Sequence, residues 1–513
     1  MHPQIEDILP LSPTQQGLLF HTLYDENKSA AYVVQFTYDL TGSLDAATLK
    51  AAAEALVQRH ANLRARFLHH TAEPVQMIAR QVTLPWQDID LRDLAPHERE
   101  AELARWLQQD RVRPFEPAQA PLLRFALIQL APQRARLVFT SHHILLDGWS
   151  MPIFLGELFA LYRARGDDSA LAPPVPYRNY LAWLKRQDRD KSLGAWKQAL
   201  AGLQGPTLLA ADPVEKSGRQ ELIACSLSQE LTQSLGKQAR QHGLTLSTLL
   251  QGAWGVLLGR LTGSEDVVFG ITVSGRPPEL PGVERMVGLF INTVPLRLRF
   301  RLQEPVVQAM VRLQDEQSEM AAHQHLGLPE IQRLAGVPSL FDTLLVFENY
   351  PVASTARSPA NDELQVTRGG SHGGDTTHYP LSIVAVPGAQ LQLRVGYRPD
   401  LLERATVEQL VARLECVLAA VAADPSQPIG RIEMLRPEER AQILVGWNDT
   451  AHAVPEATLP ALFEQQVARS QDATALVFED TSLSYGELNA RANQLAHHLI
   501  AQGVRAESFV AVA

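Results

Sequence analysis

The chain has 513 residues, 45% hydrophobic and 20% charged, a globular balance over a length that calls for two to four domains. Its net charge of −10 gives no electrostatic basis for binding nucleic acid, because neutralising phosphates takes a basic surface. No run approaches the ~20 apolar residues of a membrane span, and the acidic start MHPQIEDILPLSP lacks the apolar centre of a signal peptide. Cys225 and Cys416 sit in apolar contexts that read as buried thiols, and together these features point to the cytoplasm.

Residues 1 to about 170 alternate helical and strand patterns. AATLKAAAEALVQRH (46–60) has the period of an amphipathic helix, and PLLRFALIQL and ARLVFTSHH read as a hairpin turning at APQR. Ser150 stands where a helix cap is expected. Pro152 falls in the first turn of that helix, and Phe154, Leu155, Leu158, Phe159 and Tyr162 recur along it at helical spacing. GDDSALAPPVPYR (166–178) is a connector, rich in proline and aspartate. Beyond it, QELTQSLGKQARQHG and STLLQGAWGVLLGRL are helices, while DVVFGITVSG and SLFDTLLVFENYP are strands. LSIVAV and LQLRVGY form a hairpin around PGAQ, with Leu391, Leu393, Val395 and Tyr397 on one face. VEQLVARLECVLAAVAAD closes this part. The pattern predicts two α/β halves of similar size, each a split α/β layer and not a doubly wound parallel sheet. After LRPEERAQILVGWNDTAHAVPE come two more amphipathic helices, LPALFEQQVARS and YGELNARANQLAHHLIAQG. The chain stops in SFVAVA, which reads as a strand just beginning, so a third domain starts here and does not finish.

The chemistry concentrates in SHHILLDGWS (141–150). His142 and His143 are adjacent on a strand, so they point to opposite faces and do not share a metal ion; no cysteine is near and no HExxH occurs. GGSHG (369–373) matches G-x-S-x-G formally, but the GDTTHYP after its serine is no helix, so the match reads as an accident in a flexible loop. A third reading is a general base acting without a protein nucleophile. One histidine faces a cleft and the other packs or hydrogen-bonds beneath it, Asp147 fixes the local backbone or pairs with an arginine, and Gly148 lets the backbone turn and a substrate approach. A neutral imidazole can take a proton from an amine that attacks a carbonyl. The bland alternative for either ring is a satisfied core histidine.

HHILLDG matches the HHxxxDG motif of the condensation domains of nonribosomal peptide synthetases, and further segments follow in that family's order. LSPTQQGLLFH (11–21), RHANLRARF (59–67), PYRNYLAW (176–183), VGLFINTVPLR (287–297), HQHLGLPEIQ and LFDTLLVFENYP each resemble one of its motifs. GWNDTAHAVPE resembles the usual connection to an adenylation domain, and LSYGELNARANQLAHHL (483–499) resembles that domain's first core motif. The phosphate loop of an adenylation domain is missing, so this fragment cannot activate an amino acid.

The resemblance implies two chloramphenicol-acetyltransferase-like lobes, residues 1–170 and 171–435, set in a V as a pseudo-dimer around a central tunnel. A linker (436–455) and a truncated adenylation fragment (456–513) follow, and the second lobe should send a segment back across the first. It implies amide formation between an upstream carrier-bound aminoacyl or peptidyl thioester and a downstream carrier-bound aminoacyl amine. The partners are then the donor and acceptor peptidyl carrier proteins and the adenylation domain of the same module, with no nucleic acid and no membrane. No cofactor is bound; the carriers' phosphopantetheine arms bring the substrates. By the same resemblance His143 acts on or positions the acceptor amine, and His142 and Asp147 are structural. Arg276 is the expected partner of Asp147, with Arg64 in reserve. Gly148 offers its N–H to the tunnel, Asn292 lies near the same cleft as a catalytic or structural amide, and Ser141 and Trp149 flank the motif. A starter domain taking a fatty-acyl or aryl-acyl donor is the alternative. An epimerisation domain fits less well, because an adenylation start follows directly. A heterocyclisation domain would carry DxxxxD, and a recruitment domain without activity would lose the histidine motif.

Overall fold

The computed structural model describes residues 4–24, 32–70, 73–210, 220–337, 339–349, 364–369, 377–454 and 456–512. The chain divides into two compact units, Met1–Arg436 and Pro437–Ala513. No helix among the described residues is long and apolar enough to cross a membrane.

Two large cores organise the larger unit. The first surrounds a five-stranded sheet in the order Leu364–Arg368, Val33–Gly42, Arg134–His142, Leu123–Ala131, Trp86–Asp90. The expected hairpin is its centre: Leu127 pairs with Leu137 and Phe125 with Phe139. Its apolar run is nearly continuous because both faces are covered. Leu123, Phe125, Leu127, Leu137 and Phe139 pack with Leu49 and Leu56 of the helix Ala46–Arg59 and with Phe154 and Leu158 of the helix Ser150–Arg163. On the other face Ala126, Ile128 and Val138 meet Leu103 and Leu107 of the helix Pro96–Arg111. The helix Ala46–Arg59 begins where Asp45 accepts the N–H of Thr48 at 3.1 Å.

The second core surrounds a six-stranded mixed sheet in the order Asn292–Arg299, Asp266–Val273, Thr343–Phe347, Leu381–Val386, Gln392–Tyr397, Glu221–Ser226. Thr343–Phe347 runs parallel to both neighbours, and the other pairings are antiparallel. Leu391, Leu393, Val395 and Tyr397 are all buried, as the alternation predicts. The helix Leu246–Thr262 is buried from Thr248 to Gly259, which its glycines permit. A methyl group at Gly255 would stand 2.5 Å from the end of the Leu298 side chain, which would have to move aside within a filled core. The helix stops at Gly263, in the left-handed conformation at φ 69°.

The strand Leu364–Arg368 joins the two halves. It follows the third strand of the second sheet in sequence, yet it pairs antiparallel with Val33–Gly42, Val366 opposite Leu40, at the edge of the first sheet. The chain then returns to the second sheet at Leu381.

In the smaller unit the helices Leu459–Arg469 and Tyr485–Ala501 pack with a hairpin, Thr474–Phe478 and Thr481–Ser484. Residues 437–448 of the expected linker form a short helix and a 3-10 turn. Two readings need correction. Residues 508–512 form no strand: Ser508 closes a turn onto Arg505 O (3.1 Å), and no strand of the described residues pairs with the stretch; both cysteines are half-buried. The apolar faces of the two helices find little cover within the unit: Leu495 is 59% exposed, and Val477 and Phe478 of the hairpin are also exposed. Every buried residue of the two large cores lies at or before Ile432. A chain ending at Arg436 is therefore expected to keep its melting transition and its transfer activity. A folded but inactive product of that truncation would show that the smaller unit contributes to the reaction.

Candidate active site

The strand Arg134–His142 delivers the motif to one end of the first sheet. His142 donates its N–H to Leu122 O (2.9 Å), and His143 donates its N–H to Tyr32 O (2.8 Å). Alternation along the strand sends the two rings to opposite sides. The His142 ring goes inward and is 1% exposed. Its Nδ1 accepts the N–H of Ile144 at 3.1 Å, and its Nε2 lies 3.0 Å from the Thr22 hydroxyl. Thr22 gives its proton to Leu18 O at 2.7 Å, so Nε2 must be the donor toward Thr22. His142 is thus a neutral Nε2–H imidazole with both nitrogens engaged. Burial, helped by the neighbouring His143, pushes its pKa down to about 3. It does no acid–base work near neutral pH.

His143 differs in every respect. It is half-buried, its ring makes no hydrogen bond among the described residues, and its Nδ1 is buried without a partner. Of the two rings, it is the one whose polar atoms are uncommitted.

Asp147 is engaged through both oxygens. Oδ1 accepts from Ser150 N (3.0 Å), the Ser150 hydroxyl (2.9 Å) and Arg276 Nη2 (3.2 Å), and Oδ2 accepts from Phe290 N (3.0 Å). Its own N–H goes to Gly288 O, and the Ser150 hydroxyl accepts the N–H of Gly288 at 3.0 Å. The motif turn is therefore stitched to residues 288–290, which lead into the second sheet. Arg276 also donates to Val283 O (2.5 Å) and Met286 O (3.0 Å), and its guanidinium carbon lies 4.0 Å from the centre of the Phe290 ring. A carboxylate whose two oxygens both take backbone N–H groups and one of which meets a guanidinium, with its side chain fully buried, fixes a loop.

Other expected residues fall differently. Ser150 is the first residue of its helix and not the cap; Asp147 takes its N–H instead. Arg64 stays away from Asp147. It is bound to Glu6 (2.7 Å), Arg80 O (3.0 Å), Gln58 O (3.2 Å) and Ala79 O, which exhausts most of its donors. The Asn292 amide donates to Gln324 O (2.7 Å) and Leu326 O (2.6 Å), and its oxygen lies 3.1 Å from the Thr14 hydroxyl, so its donors are taken up by the fold. Gly148 is half-buried, and the turn does not use a left-handed glycine there. Ser141 is buried within the strand, and Trp149 is half-buried at the helix start. Of GGSHG, residues 370–373 lie outside the described residues. The motif alone did not reveal Thr22 or Gln15 on the opening helix Pro13–Tyr24. Gln15 donates to Ile144 O at 3.2 Å from a fully buried position, and a polar residue inside LSPTQQGLLFH was the available signal.

Residues 5–444 match the family model described as the condensation domain, and residues 463–513 match that of AMP-binding enzymes. A linear gramicidin synthase polypeptide of Brevibacillus parabrevis is 37% identical over 99% of this chain, which corresponds to 10% of that protein. Surfactin synthase subunit 3 of Bacillus subtilis (strain 168) is 33% identical over 99% of this chain and 40% of its own length. The chain thus spans a minor part of the curated relatives it matches. Among solved structures, a holo four-domain nonribosomal peptide synthetase bound to AMP and glycine superposes with a TM-score of 0.77 at 19% identity, covering 98% of this chain and 39% of that one. The X-domain from teicoplanin biosynthesis superposes with a TM-score of 0.73 at 21% identity, over 84% of this chain and 98% of that one. Fold and motif together define an acyltransferase-type enzyme built from two chloramphenicol-acetyltransferase-like lobes. The chain belongs to the condensation-domain family of nonribosomal peptide synthetases, followed by the start of an AMP-binding domain.

Proposed function

We propose that the chain joins two carrier-bound substrates through an amide bond. The acceptor α-amine, on the arm of a downstream carrier protein, attacks the thioester carbonyl of the donor on an upstream carrier. A C–N bond forms, the C–S bond breaks, the amine loses a proton, and the donor's arm leaves as a thiol. The product stays on the acceptor arm. The observation that carries this reading is the division of labour within the motif. Both nitrogens of His142 and both oxygens of Asp147 are engaged by the fold, while the His143 ring keeps its nitrogens uncommitted beside them. His143 holds the attacking amine and takes its proton as the bond forms. The setting is the cytoplasm, in a module whose adenylation domain loads the downstream carrier.

On this reading the arms bring all the chemistry, and neither a metal nor a nucleotide takes part in the transfer. With both carriers loaded chemically, intact-mass analysis of the acceptor is expected to show full transfer in the presence of a strong chelator and without ATP. Transfer that stops on chelation would sink the reading. The same assay with L- and D-aminoacyl donors and with a fatty-acyl donor separates chain elongation from a starter reaction, and elongation predicts product from an aminoacyl donor.

A further inference from the structure

Three side chains from distant parts of the chain meet beside the motif histidines. His21 lies on the opening helix, Tyr32 precedes the strand Val33–Gly42, and His378 comes just before the strand Leu381–Val386 of the second sheet. The Tyr32 hydroxyl is 2.9 Å from His378 Nδ1. The rings of His21 and His378 stack with centroids 4.1 Å apart. The Tyr32 ring stands 6.4 Å from the rings of both His21 and His142. Through its main chain Tyr32 reaches the other member of the motif, for its carbonyl accepts the N–H of His143.

Tyr32 is 8% exposed and has a φ of 65°, the left-handed region that bulky side chains rarely enter. Such a conformation persists where the surroundings over-determine it. Here the ring is held by a histidine of the second half while the carbonyl is held by His143. Burial lowers His21 and pushes His378 down to about 3, which spares the stacked pair a like-charge repulsion near neutral pH.

We infer that Tyr32 is a positioning residue for condensation, a brace that ties the backbone of His143 to the second half of the enzyme through His378. The imidazole is aimed only while the segment bearing His378 is seated on the first half. This inference rests on the role given to His143 above.

The test is transfer between pre-loaded carriers in Tyr32→Phe, His378→Leu, His378→Asn and His143→Ala, with nitrogen-15 NMR of labelled histidines. Tyr32→Phe keeps the ring and the carbonyl and removes the hydroxyl's contact with His378 Nδ1, so kcat is expected to fall roughly 3- to 10-fold. KM for both carriers and the melting temperature stay as they are. His378→Leu gives the same loss, the two changes together lose no more than one alone, and His378→Asn, whose amide can stand where Nδ1 stood, recovers most of the rate. In Tyr32→Phe the His143 resonances shift and those of His142 do not. Wild-type kcat in both Tyr32→Phe and His378→Leu, or a loss that follows the melting temperature, overturns the brace. Full activity in His143→Ala overturns the role of His143 instead, and the His143 resonances in Tyr32→Phe still decide whether the brace exists.

Discussion

Replacing His143 by alanine is expected to slow transfer between pre-loaded carriers by roughly 10²–10⁴-fold while leaving the melting temperature nearly unchanged. The two halves of this expectation have separate causes. The rate falls because the ring that would hold the amine and accept its proton is gone. Stability holds because that ring makes no hydrogen bond among the described residues, so its removal breaks none. His142→Ala should show the reverse. It leaves the Ile144 N–H without its acceptor in a buried place, at a cost of about 1–3 kcal/mol, and it also removes the contact to Thr22. If the two variants exchange signatures in calorimetry and single-turnover kinetics, the faces have been assigned the wrong way round.

The second large effect is on stability. Asp147→Ala or Arg276→Ala is expected to cost about 3–5 kcal/mol, since either leaves a charge or its donors stranded where water does not reach. The Asp147 side chain is fully buried and that of Arg276 is 8% exposed, so solvent screening relieves little of this. The double variant should cost clearly less than the two single costs added, because each loss already contains the broken Nη2–Oδ1 contact. Denaturant titrations of the four proteins measure that difference, and strictly additive costs would mean the two side chains are not coupled. Asp147 also holds the N–H groups of Ser150 and Phe290, so the double variant will remain below the parent.

The central hairpin, the helix Ala46–Arg59 and the buried face of Leu391, Leu393, Val395 and Tyr397 were legible because period and burial coincide there. The cap at residue 150 was not. Ser150 and Asp147 are both capping residues by type, and local pattern cannot tell which of two such neighbours turns its oxygen to the helix. The site divides the same way. Its histidines and aspartate stand in one short stretch, and Arg276 came within reach through resemblance to a family. Tyr32 and His378 are far apart in the chain, and no periodicity announces a hydroxyl that meets an imidazole across two sheets. Arg64 ends a 3-10 turn just before the strand Ala65–Leu68, and its partners Glu6, Ala79 and Arg80 lie on or beside the other two strands of that three-stranded sheet, Ile5–Pro10 and Val75–Ala79. This pairing was likewise beyond the pattern, which is why the sequence leaves that arginine open to Asp147, which it never meets.

The strand Leu364–Arg368 bears on how such enzymes can be recombined. A chimera joined at the connector near residue 170 takes its first sheet from one parent, yet the edge of that sheet still arrives inside the other parent's sequence. Leu364 and Val366 pack against the first core, so the foreign edge must fit side chains it did not evolve beside. The first half made alone is worse placed, because Val33–Gly42 is then a bare edge that offers its unpaired backbone to any passing strand. The folding unit and the stretch of sequence that encodes it do not coincide, and an exchange that respects the structure moves residues 364–368 together with the first 170.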